Sequence, residues 1–110
     1  MVILIVLTDE KEDFYMASVN VSLQVIPCVP DSQVYPVVDK VIDLISKSGV
    51  KYEVGPMETT MEGELDALLE IVKKAQEICI LEGASRVLSV VKIDYKKEGV
   101  TMDEKISKYR

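Results

Sequence analysis

The chain has 110 residues, of which 48% are hydrophobic, enough for one domain with a modest core. Its formal net charge of -6 argues against binding nucleic acid, whose phosphates need a basic surface, and against binding an anionic membrane. It contains no histidine, which removes the commonest acid–base catalyst and the commonest metal ligand. The two cysteines, Cys28 and Cys79, fit no zinc or redox spacing. We therefore expect no metal site, and reduced, at least partly buried thiols, as in a cytoplasmic protein.

The first fifteen residues differ in character from the rest of the chain. An apolar run at residues 2–7 (VILIVL) is followed by the charged stretch TDEKED. The run has no basic residues before it and is too short for a signal peptide, and no window reaches a transmembrane length. Because Met16-Ala17-Ser18 reads like a natural protein start, we treat residues 1–15 as an N-terminal extension and residues 16–110 as the domain. An added edge strand is the other interpretation of the apolar run.

The remaining residues predict the order β-α-β-β-α-β followed by a short helix. Residues 18–26 alternate apolar and polar side chains, as in a strand with one polar face. A helical period predicts one helix from Asp31 or Ser32 to about residue 48, and another from about residue 64 to 82. Strands are predicted at 50–54, 57–62 and 86–95, and Thr101-x-x-Glu104 predicts a capping box that begins the last helix. This order specifies an α+β, ferredoxin-like βαββαβ sandwich.

A ferredoxin-like sandwich covers one face of its sheet with two helices and leaves the other face open. A small domain normally buries such a face against a partner. We therefore predict a homo-oligomer, either a two-fold dimer or a dimer of dimers.

The stretch at residues 53–64 is where we expect a ligand site. Thr59-x-x-Glu62 has the form of a helix capping box, and spacing alone favours that structural role over binding. Gly63 would weaken a first helical turn by roughly 1 kcal/mol, so we favour a strand here instead. On a strand Thr60 and Glu62 share a face, and that face adjoins the polar row of the first strand.

Four segments of the chain resemble one known family. They are Val21-Ser22-x-x-Val25-Ile26-Pro27, SGVKYEVGP at residues 48–56, TTMEGE at residues 59–64, and the tail with DYK at 94–96 and EKISKYR at 104–110. These segments are similar to the small thiamine-binding protein family of the YkoF-like superfamily, over roughly residues 16–110. The resemblance implies a ferredoxin-like protomer that assembles into a tetramer, binds thiamine or its hydroxymethylpyrimidine half, and has no catalytic activity.

The polar groups of the chain fit the chemistry of thiamine. Its aminopyrimidine needs a carboxylate or carbonyl for the amino group and hydroxyl or backbone donors for the ring nitrogens, while its thiazolium needs a negative charge nearby. Glu53 and Asp94 are alternative partners for the cation. The full set of expected ligand-binding residues is Ser22, Gln24, Glu53, Thr59, Thr60, Glu62 and Asp94.

We expect a cytoplasmic, non-catalytic protein that binds a small molecule, thiamine or hydroxymethylpyrimidine. No nucleophile, metal cluster or phosphate-binding loop accompanies the carboxylates, so we expect no catalytic residue, no metal and no cofactor. Two other classes stay open. One is an oligomeric structural module whose open sheet face binds a protein partner, and the other is a regulatory sensor of an amino acid, which shares this element order.

Overall fold

The computed structural model describes residues 17–110, and the predicted N-terminal extension lies outside them. The elements are β1 (Val19–Pro27), α1 (Asp31–Lys47), β2 (Lys51–Val54), β3 (Thr59–Gly63), α2 (Leu65–Leu81), β4 (Val87–Asp94) and α3 (Met102–Ile106), with a 3-10 turn at Ser107–Tyr109. The sheet order is β2-β3-β1-β4, and every neighbouring pair is antiparallel. The predicted ferredoxin-like fold is confirmed. Across residues 17–110 no helix is both long and apolar enough to span a bilayer.

The core lies between one face of the sheet and the helices α1 and α2. Val19, Val21 and Leu23 project from β1 into it and are no more than 3% exposed. The helices contribute Val37, Val41, Ile45, Leu68, Ile71, Val72, Ala75 and Cys79. Burying one large aliphatic side chain contributes roughly 1.5–3 kcal/mol, so these contacts fix which face of each strand is turned inward. The alternate residues of the same strands must therefore point to the other face.

The helix starts differ in part from the predicted caps. The residue before α1 is Pro30, whose backbone oxygen accepts the N–H of Gln33 at 2.8 Å, and no side chain caps this helix. The prediction that Asp31 or Ser32 is the cap is therefore wrong, because the extended Pro30 occupies that position. The Thr101–Glu104 capping box is present with both of its hydrogen bonds.

The two cysteines occupy different environments. Cys79 is fully buried in α2, and this burial raises the pKa of its thiol. Cys28 is exposed in the connection between β1 and α1, where its backbone bonds with Arg86. The expectation of at least partial burial is right for Cys79 and wrong for Cys28, whose position is set by backbone pairing and not by packing.

The face of the sheet opposite α1 and α2 is covered at one end by the chain itself. Residues 95–110, which we call the C-terminal strap, fold back over it and include α3. Under the strap Asn20 and Ser22 are only 4% and 8% exposed, although they point away from the core. At the other end of the same face Ile26, Leu88 and Val90 stay 42–50% exposed. The expectation of a fully open face is therefore wrong for the strap-covered end, where the C-terminal segment supplies the cover.

Candidate ligand-binding site

Two rows of polar side chains cross the sheet on the face that the strap covers. They arise because the strand register places residues of all four strands opposite one another. The first row, from β2 to β4, is Lys51, Glu62, Asn20 and Asp94. The second row, in the same direction, is Glu53, Thr60, Ser22 and Lys92. The register thus gathers groups that are far apart in sequence into one polar surface.

A cavity of about 390 Å³ lies between this polar surface and the strap. Its floor includes the hydroxyl-bearing Ser22 and Thr60 at the centre of the second row. The strap closes one side of it with Met102, Lys105, Ile106 and Arg110. A volume of a few hundred cubic ångströms with a small number of convergent polar groups is typical of sites for small molecules.

Four of the seven residues predicted to bind a ligand line this cavity: Ser22, Glu53, Thr60 and Asp94. The other three do not line it. Thr59 lies opposite the core residue Leu23 and faces the helices, and Gln24 lies farther along β1, opposite Val90. Glu62 lies on the correct face but beneath the strap. Contact of any of the seven with a ligand stays a prediction.

Glu62 binds the strap. Its Oε1 accepts the backbone N–H of Met102 at 2.5 Å and the side-chain amide of Asn20 at 3.5 Å. The first N–H groups of a helix have no acceptor within that helix, so Glu62 satisfies one of them at the start of α3. The capping box that Thr59-x-x-Glu62 resembles does not form, because both residues lie in β3. Glu62 nevertheless caps a helix, one that begins 40 residues later in the chain.

The three carboxylates that line the cavity are each paired with a cation. The pairs are Glu53–Arg110 at 2.5 Å, Glu58–Lys92 at 3.2 Å and Asp94–Lys105 at 2.6 Å. The Lys105 ammonium also donates to Asn20 Oδ1 at 2.8 Å. These six ionic side chains therefore sum to zero charge, although the whole chain carries -6.

Sequence reasoning missed the cations Lys92, Lys105 and Arg110. A signal for Lys92 was available, since it lies two residues before Asp94 on the predicted strand and so shares its face. No local pattern places Lys105, which contacts a residue 85 positions away. Arg110 is positioned in the same way, by the path of the strap across the sheet.

A second concavity, of about 470 Å³, lies on the helix side of the sheet. It runs between α1, the end of β1 and the β2–β3 turn, and its lining is mainly aliphatic, with Thr59, Asp39 and Glu58 among its polar groups. This second concavity lacks the feature that marks the cavity under the strap, a row of hydroxyl groups flanked by ion pairs. The cavity beneath the strap is therefore the candidate site.

Comparisons with known proteins agree along nearly the whole described domain. Residues 21–110 match the family described as "Thiamine-binding protein". A UPF0045 protein of Clostridium perfringens is 72% identical over 95 residues, which cover 86% of this chain and 100% of the relative. The structure of a Bacillus cereus domain of unknown function, DUF77, is similar with a TM-score of 0.82 at 50% identity, covering 88% of this chain and 94% of that one. A Thermotoga maritima structure, described as that of a candidate thiamine biosynthesis/salvage protein, has a TM-score of 0.80 at 43% identity and covers 84% and 99% of the two chains.

Proposed function

The chain belongs to the thiamine-binding protein family, and on that premise we propose that it is a non-catalytic binding protein for thiamine or its hydroxymethylpyrimidine half. One observation carries the proposal. Two hydroxyls, those of Ser22 and Thr60, lie between the Glu53 carboxylate on β2 and the charged side chains of β4, in a cavity large enough for a small molecule. The description of the Thermotoga maritima relative supports the same class of ligand.

The second polar row suits an aminopyrimidine ring. Glu53 and Thr60 are direct neighbours across β2 and β3, and Ser22 follows on β1, so the three groups lie about 5 Å apart in a line. The exocyclic amino group would donate to Glu53, and the ring nitrogens would accept from the two hydroxyls. Asp94, in the neighbouring row, is then the carboxylate left for the thiazolium cation.

Binding can be tested by calorimetry with thiamine, hydroxymethylpyrimidine, the isolated thiazole half and a panel of amino acids. We expect both pyrimidine compounds to bind and to stabilise the protein in a thermal shift assay, by roughly 2.7 kcal/mol at 100 times the dissociation constant. If neither pyrimidine binds, the proposal is wrong. Binding of an amino acid alone would favour the sensor function instead.

The position of the site can be tested with adjacent threonines. Thr60→Val removes a hydroxyl from the cavity floor, and one hydrogen bond contributes about 0.5–1.5 kcal/mol, so affinity for pyrimidines should fall about two- to twelvefold. Thr59→Val makes the same change on the opposite face of the same strand and should leave affinity unchanged. If Thr60→Val and Glu53→Gln both bind like the wild type, the ligand lies elsewhere.

We also propose that the protein is a homo-oligomer, a dimer of dimers, with the apolar end of the strap-side face as one of its two interfaces. Ile26 and Leu88 are opposite each other in the register and Val90 lies on the same face, so three exposed aliphatic side chains form one patch. Sedimentation velocity at micromolar concentration tests this, with Leu88→Glu expected to break this interface and reduce the tetramer to dimers. Leu81→Glu, an exposed leucine on α2, is the matched control. A monomeric wild type would contradict the proposal.

A cytoplasmic location is part of the same proposal. Both cysteines of the described residues are free thiols, which suits a reducing compartment. Fractionation of the producing cells tests it, and recovery of the protein outside the cytoplasmic fraction would contradict it.

A further inference from the structure

Carboxylates and cations alternate around the cavity, and we infer that its preferred ligand carries an anionic group together with a cationic ring. A phosphate ester such as thiamine monophosphate has this charge pattern. The inference rests on the proposed function and narrows it to a class of ligand.

The second polar row has opposite charges at its two ends. Glu53 lies on β2, the hydroxyls of Thr60 and Ser22 follow, and Lys92 lies on β4. Neighbouring strands are about 4.8 Å apart, so the backbone positions of Glu53 and Lys92 are separated by about 14 Å. The Lys92 side chain now extends to Glu58 in the β2–β3 turn, at 3.2 Å. Once it leaves Glu58, a ligand laid along the row meets a carboxylate at one end, two neutral hydrogen-bonding groups, and an ammonium at the β4 end.

The existing ion pairs oppose a ligand that is only a cation. Each carboxylate it could contact already has a cation beside it, Arg110 on Glu53 at 2.5 Å and Lys105 on Asp94 at 2.6 Å. That neighbouring cation repels the positive charge of the ligand. An anionic group on the same ligand would bind one of the cations that line the cavity. Both charges of the ligand would then have a partner of opposite charge.

Lys92 is the lining cation best placed to bind the anionic group of the ligand. Its pair with Glu58 is the longest of the three lining pairs, at 3.2 Å, and its side chain is 69% exposed. Exposed pairs of this kind are weak and exchange easily, so Lys92 can turn to a phosphate at little cost, and the Glu58 carboxylate that it leaves then faces a ligand that also carries a cation. Lys105, by contrast, is held by both Asp94 and Asn20.

Calorimetry on the full chain with thiamine and with thiamine monophosphate tests the inference. The buffer should contain about 0.15 M salt, where charges farther away than about 8 Å are screened, so that the net charge of the protein does not dominate. We expect the monophosphate to bind about tenfold more tightly, the effect of one charge-assisted hydrogen bond. Inorganic phosphate should compete with the monophosphate more strongly than with thiamine.

Variants of Lys92 locate the contact. In Lys92→Gln the two ligands should bind with nearly equal affinity, and Lys92→Arg should retain the preference. Lys73→Gln removes the same charge from an exposed position on α2 and should leave the ratio of the two affinities unchanged.

The failure of this inference is distinct from failure of the proposed function. If thiamine binds as tightly as its monophosphate, or more tightly, the inference is overturned while the proposed function stands. A preference that survives Lys92→Gln also overturns it, since the anion is then bound elsewhere. If neither ligand binds, the proposed function and the inference fall together.

Discussion

Glu62→Ala should release the C-terminal strap from the sheet. The substitution removes the acceptor of the Met102 N–H, which Glu62 Oε1 contacts at 2.5 Å. Hydrogen bonds to charged groups contribute about 1.5–3 kcal/mol each, and the second bond, from Asn20 at 3.5 Å, is at the limit of hydrogen-bonding distance and adds little. Met102 is 5% exposed, so water cannot readily replace the lost acceptor while the strap stays docked. We therefore expect a loss of about 2 kcal/mol.

Hydrogen exchange of the Met102 amide is the direct assay for this loss. A decrease of about 2 kcal/mol in the free energy of opening corresponds to about 30-fold faster exchange. Glu64→Ala is the matched control, because Glu64 is an exposed glutamate two residues away whose side chain makes no cap bond to α2. If Glu62→Ala changes neither this exchange rate nor the free energy of unfolding by more than about 0.5 kcal/mol, Glu62 does not hold the strap.

Two further predictions concern thiols and alkaline pH. The native protein should react with a disulfide reagent at the exposed Cys28 but not at Cys79, because burial shields the Cys79 thiol and raises its pKa. Cys28→Ser should therefore abolish the reaction of the native protein. Rapid labelling of Cys79 would contradict the packing of α2. The pKa of Lys51 is raised, chiefly by its hydrogen bond to Asp103 on the strap. The stabilisation from this pair should be complete below the ordinary lysine pKa of about 10.4 and should disappear as pH rises through the higher pKa of Lys51 in the folded protein, so urea unfolding of the wild type and Lys51→Met should converge above that pKa. If the difference in unfolding free energy between the wild type and Lys51→Met grows with pH, the Lys51–Asp103 pair is not its source.

The sequence was sufficient to predict the fold and one wall of the candidate site. Alternation in β1 placed Ser22 on the face away from the core, and Gly63 correctly favoured a strand for Thr60 and Glu62. These predictions succeed because a strand has a period of two residues, so the buried side chains determine the direction of their neighbours. The same rule separates Thr59, which faces the helices, from Thr60, which lines the cavity.

The caps were less predictable from local motifs. Thr101-x-x-Glu104 forms the capping box that its spacing predicts, whereas Thr59-x-x-Glu62 has the same spacing and lies in a strand. A capping motif describes what its side chains can do at a helix start, but the choice between helix and strand depends on the packing of the whole segment.

The sequence by itself determined the order of the elements and the row of hydroxyl and carboxylate groups on the strands. Only the tertiary structure decided what covers that row. The strap brings Lys105 to a residue 85 positions away and uses Glu62 to cap α3, and such contacts leave no periodic signal in the chain. Periodicity reports the burial of a face, whereas the partner of a polar group depends on how distant segments meet in space.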